Sequence, residues 1–188
     1  MKWELPILIL AAVGCYLLIR LGGKERRDES RAAKLMKKYA TLTPDLLAAC
    51  PDEELVEAVV CHVLSRAADT RRPNPAKELA DMPQPFTVVY SIWAVCKELA
   101  HSDYVGLTHT ATRHLVDAAV DGLPVIGAPA TAAALASLRD AHAEKTDLPE
   151  GEREFHRAVE QESPLSLCVA YIRDHVAELT DTEVDDEE

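Results

Sequence analysis

Apolar residues recur along most of the chain at spacings of three and four, the period of a helix with one buried face. Leu55, Val56, Val59, Val60, Val63 and Leu64 form one such stripe. Phe86, Val89, Tyr90, Trp93, Cys96 and Leu99 form a second, over a helix from about Pro85 to Ala100. Leu107, Ala111, His114, Leu115 and Ala118 form a third, over residues 106–120. No stretch alternates with the period of two that marks a half-buried strand. Start signals punctuate the stripes. Thr43-Pro44-Asp45 pairs a capping hydroxyl with a proline in the first turn, and Pro51 precedes Asp52, Glu53 and Glu54, which suit the positive end of a helix. Asn74-Pro75, Pro129, Pro149 and Pro164 open further helices, predicted to run to about residues 144, 162 and 179 from the last three. Arg71 to Pro75, Met82 to Pro85 and Asp121 to Pro124 read as breaks. In the last helix Leu167, Cys168, Tyr171, Ile172, His175 and Leu179 make the apolar side. The pattern predicts an all-α protein.

One apolar run stands apart. Residues 5–21 read LPILILAAVGCYLLIRL, with Arg20 as their only charge and Trp3 just before them. Seventeen residues rise roughly 25 Å as a helix, enough to cross a bilayer's hydrocarbon core. Lys24, Arg26, Arg27, Arg31, Lys34, Lys37 and Lys38 follow, against Lys2 alone before it. Basic residues favour the cytoplasmic side. The expected organisation is a transmembrane anchor over 1–23, a basic juxtamembrane helix or linker over 24–40, an acidic helical domain over 41–180 and a disordered acidic tail over 181–188. The expected localisation is the cytoplasmic membrane, single-pass, with the N-terminus outside and the domain in the cytoplasm.

Composition agrees with helices: aromatics are 5% of the 188 residues, so strand-forming side chains are scarce. The net charge of −12 hides a division. Residues 1–40 hold nine Lys/Arg and four Asp/Glu, whereas residues 41–188 hold 11 and 28, a net of −17. Such a body repels nucleic acid and attracts basic partners, so direct nucleic-acid binding is not expected. Cys15, Cys50, Cys61, Cys96 and Cys168 are odd in number, far apart and lack a C-x-x-C pair, which fits reduced core thiols.

No dinucleotide, phosphate-loop or nucleophile-elbow motif occurs. Glu98 and His101 form a single E-x-x-H where two-metal helical bundles use the motif twice. His109 and His114, five apart, splay on a helix, and His62 reads as a structural or surface residue. No enzyme, cofactor or metal is expected, and a catalytic pocket, if there were one, would lie around Glu98, His101, His109 and His114. Carboxylates instead cluster at Asp52, Glu53, Glu54 and Glu57, at Asp147, Glu150, Glu152 and Glu154, and at Glu160 and Glu162. Duplex DNA carries a charge every ~1.7 Å, and carboxylates on a helix at similar spacing could occupy a basic DNA-binding groove.

The stretch from Val89 to Leu99, with Tyr90, Ile92, Trp93 and Glu98 in the order Tyr-x-Ile-Trp-x-x-x-x-Glu, resembles the signature helix of a bacterial acidic helical domain family whose type member is a DNA-mimic protein. Ile126-Gly127-Ala128 before an alanine-rich helix, and a last helix with Tyr171, Ile172 and His175, are similar to that family as well. The likeness covers about residues 80–180. Where the family has an Asn-Gly-Gly-Phe turn, this chain has Ala100 to Tyr104, so the turn's role does not carry over. The resemblance implies an acidic, dimeric helical domain that binds a DNA-binding protein in place of DNA. Two functions follow as expectations: a membrane-anchored acidic binding module that sequesters a basic protein, or a membrane-tethered scaffold whose acidity is incidental.

Overall fold

The computed structural model describes residues 31–68, 75–146 and 148–181. Residues 31–38 are helical (α1). They are followed by α2 (Pro44–Ala49), α3 (Asp52–Ala68), α4 (Pro75–Ala80), α5 (Gln84–Leu99), α6 (Tyr104–Thr108), a 3-10 turn at Ala111–Leu115, α7 (Val116–Val125), α8 (Pro129–Glu144), α9 (Leu148–Glu162), α10 (Pro164–Asp174) and a 3-10 turn at Val176–Glu178. No strand occurs among the described residues. The protein is an all-helical, compact multi-helix domain.

Helix α5 sits at the centre because it is apolar on two faces. One face carries Phe86, Val89, Tyr90 and Ala94 into a core shared with Tyr39, Leu42, Leu47, Leu55, Val59, Val63 and Ile172. The other carries Val88, Ile92, Val95 and Leu99 into a second core with Leu107, Leu123, Leu135, Leu138 and Phe155. The basic segment joins the first core: Leu35 and Met36 pack against it and Tyr39 is fully buried.

The expectation of a single-pass membrane protein is corrected. Among the described residues no helix is long and apolar enough to cross a membrane. A span needs about 20 apolar residues, whereas α3, the longest of helices α2 to α10, has 17 and carries Asp52, Glu53, Glu54, Glu57 and Arg66. The run at residues 5–21 lies outside the described residues, as do most of the Arg71–Pro75 break and residues 182–188 of the tail.

Three helix boundaries differ from the periodicity. The expected helix over 106–120 is divided, because local hydroxyls compete with the ladder. Thr108 and Thr110 donate to the Val105 and Leu107 carbonyls, and the Thr110 oxygen accepts from the Thr112 N–H. The expected break at Asp121–Pro124 is instead the last part of α7. Gly122 lies under α5, where a Cβ would stand 3.4 Å from Val88 Cγ1 and 3.5 Å from Ile92 Cδ1. Close packing there holds the helix through Gly122 and Leu123, and Pro124 falls in the final turn. The stop comes at Gly127, with φ of +91°. Its N–H donates to the Pro124 carbonyl and that of Ala128 to Leu123, a Schellman end that favours glycine. Ile126, Gly127 and Ala128 are this terminus. The last helix stops at Asp174, and Leu179 is buried beyond it.

Candidate functional site

The acidic clusters divide by what their carboxylates touch. Asp52 accepts from the Arg173 guanidinium at 2.7 Å, and that guanidinium also donates to the Leu47 and Cys50 carbonyls. Glu54 accepts from Tyr39 Oη at 3.0 Å and Lys38 Nζ at 3.1 Å. Those two hydrogen bonds, Lys38 first, hold its carboxyl below the usual range. Glu57 pairs with Arg31 at 3.5 Å, and Glu150 with Arg153. Glu152 accepts the Tyr104 N–H at 2.8 Å, at the start of α6. Glu162 accepts from the N–H groups of Ala130 and Thr131 at 2.9 and 2.7 Å, and from Thr131 Oγ1 at 2.8 Å.

Glu152 and Glu162 therefore cap helices other than their own. The need at α8 is visible: Ala128 offers no capping side chain. Glu53, Glu154 and Glu160 are exposed, with no ion pair among the described residues. Asp147 lies outside the described residues. The acids thus lie on α3 and α9, six of the nine described ones engaged within the fold.

Tyr90, Trp93 and Glu98 on α5 line one groove, Tyr90 from the core side. Trp93, half-buried, has the Tyr90 ring at 5.7 Å and Lys97 Nζ at 4.8 Å from its centroid. A groove of about 380 Å³ lies on one side, with Leu35, Met36, Val60 and Leu64 along it. Another of about 370 Å³ lies on the other, lined by Tyr90, Trp93, Lys97, Glu98, His101 and Thr112. His101 is exposed and its Nδ1 donates to the Lys97 carbonyl. His109 and His114 lie elsewhere on the surface, the latter with Arg113 Nε at 3.0 Å. The four residues do not form one pocket. Among the described residues no three His, Cys, Asp or Glu side chains converge as a metal-ligand set.

A polar node unites three distant segments. His62 on α3 is buried, with Nδ1 2.9 Å from the Ala40 carbonyl oxygen and Nε2 3.6 Å from Asp181 Oδ1. Asp181 is tied to the fold at both ends: its N–H donates to the Leu42 carbonyl, and its Oδ2 accepts from the Leu42 N–H, each at 2.9 Å. Arg66 Nη1 is 3.7 Å from Oδ1. Nothing in the sequence pointed to this node, because positions 40, 62 and 181 share no motif and no helix face.

Burial lowers the His62 pKa, outweighing the Asp181 charge and the Ala40 hydrogen bond, which raise it. A histidine depressed in the folded state gives stability that is complete above its unfolded value and falls as the pH drops below it. Urea midpoints are expected to decrease from about pH 7 to about pH 5, above the range in which carboxylates titrate. His62→Gln should flatten that slope; a slope unchanged in the variant would assign it to other groups.

No family model, no curated protein and no solved structure matches this chain.

Proposed function

We propose that the chain is a non-catalytic binding module that engages a basic protein through its acidic surface. The observation that carries this is the charge excess of residues 41–188. Its 11 Lys/Arg can neutralise only part of its 28 Asp/Glu, leaving 17 more acids than bases. A field of one sign raises association rates with oppositely charged partners and fades with salt. Mimicry of the DNA backbone is the narrower form of this reading. It would draw on Glu53, Glu154 and Glu160, the exposed acids of α3 and α9 that are in no ion pair among the described residues, together with the paired ones around them.

A fluorescent oligolysine peptide tests the module reading on the full chain. Binding is expected to weaken at least about tenfold between about 50 and about 200 mM NaCl. Joint replacement of Glu53, Glu154 and Glu160 by glutamine should weaken it further at low salt. Binding that ignores salt would sink the reading. A DNA-binding protein that oligolysine and duplex DNA both displace from the chain would favour the narrower, DNA-like form.

A second reading, a scaffold that docks a partner on an apolar face, is favoured by the two grooves beside Trp93. Under it, Trp93→Ala abolishes capture of the partner while the triple glutamine variant retains it.

A further inference from the structure

A concavity of about 240 Å³ lies between α3, the α4–α5 turn and the C-terminal segment, where His62, Arg66, Asp81, Phe86, Thr180 and Asp181 line it. Its deepest polar group is His62, with a relative exposure of 1%. The Ala40 carbonyl at Nδ1 can only accept, so Nδ1 carries the proton. In the neutral ring that burial favours, Nε2 is then an acceptor. It faces Asp181 Oδ1, a second acceptor, across 3.6 Å, too far and of the wrong polarity for a hydrogen bond. Thr180 donates its own proton to the Ala177 carbonyl at 3.3 Å, which leaves its hydroxyl oxygen as a third acceptor. Among the described residues the cation lining this pocket is Arg66, which stands 3.7 Å from Asp181 and keeps 49% of its side chain exposed. Asp81 and Asp181 outnumber it.

Among the described residues, no donor other than the outlying Arg66 stands between these acceptors. A primary ammonium is donor-only, with three N–H bonds. The walls suit an alkyl stem, since Met82, Pro83 and Phe86 flank the acceptors. We infer that this pocket receives a primary ammonium on an alkyl chain, as a lysine side chain of the basic partner supplies. The inference rests on the module reading above and adds to it the point of anchorage. The lysine displaces the outlying Arg66 from Asp181, its ammonium bridges Nε2 and the carboxylate, and its methylenes cover Phe86.

The full chain is titrated with n-butylammonium while the His62 ring nitrogens are followed by NMR, with 1-butanol as the uncharged analogue. Butylammonium is expected to shift the Nε2 resonance saturably and 1-butanol to leave it in place. Asp81→Asn should weaken butylammonium about threefold and Arg66→Ala should tighten it about threefold, as befits partly exposed charge pairs. Both substitutions are at exposed positions, so their folding is secure where that of an Asp181 variant is not. The absence of a saturable His62 shift, or an equal response to 1-butanol, overturns the pocket. Oligolysine that binds at low salt but ignores Asp81→Asn, Arg66→Ala and competing butylammonium also overturns it, while leaving the module reading in place. Oligolysine that does not bind at low salt overturns the module reading itself.

Discussion

Phe155→Ala is expected to lower the unfolding free energy by about 3–4 kcal/mol, the range for removing a buried aromatic ring and leaving part of its cavity behind. Phe155 is 1% exposed in the second core, and besides Ala158 it is the buried residue of α9. The rest of that helix is largely polar, so its attachment to α8 depends on this ring more than on any other side chain. The consequence extends past the cavity. If α9 loosens, Glu162 leaves the start of α8 and Glu152 leaves the start of α6. Urea denaturation followed by circular dichroism measures the loss. A decrease of under about 1.5 kcal/mol would mean that the carboxylate caps, and not the ring, hold α9 in place.

Glu162→Ala should cost about 2 kcal/mol, the upper range for a helix cap, because three donors from α8 lose their acceptor together. Glu162→Gln should recover part of this, since an amide oxygen still accepts but lacks the charge that favours a helix N-terminus. Burial raises the Glu162 carboxyl, yet the hydrogen bonds from Thr131 and Ala130 outweigh it and hold the group below its usual range. A carboxyl depressed in the folded state contributes stability that is complete above the ordinary glutamate value, about 4.3, and is lost as the pH falls through its folded value. The gap between wild type and Glu162→Ala should therefore narrow under acid. A substitution without effect at neutral pH would return Glu162 to the solvated surface.

Helix starts were legible in the sequence, because their signals are local: Thr43 accepts from the Leu46 N–H as the Thr-Pro-Asp motif suggests, and Pro129 and Pro164 begin α8 and α10. Core residues at helical spacing were also legible, Val59, Val63, Val89 and Ile172 among them. The Gly122–Pro124 segment was misread as a break because propensity is a weak preference, and contact with Val88 and Ile92 outweighs it. The helix over 106–120 was misread for the opposite reason: apolar periodicity was present, but threonine hydroxyls satisfied the backbone locally.

The site divides along the same line. The acid excess of the body follows from composition alone, since no fold can change the count of charges. Which acids face a partner does not. Glu152 and Glu162 look like Glu154 and Glu160 along the chain, and they differ because helix termini more than thirty residues distant present unsatisfied N–H groups to them. His62, Asp81 and Asp181 meet for the same reason, as three segments that no sequence period relates are brought together when α3, the α4–α5 turn and the segment ending at Asp181 pack beside α5. Period and caps determined the helices, because those forces act within a few residues. Only tertiary packing decided which polar groups would find partners, because hydrogen bonds and charges act across whatever distance along the chain the fold has closed.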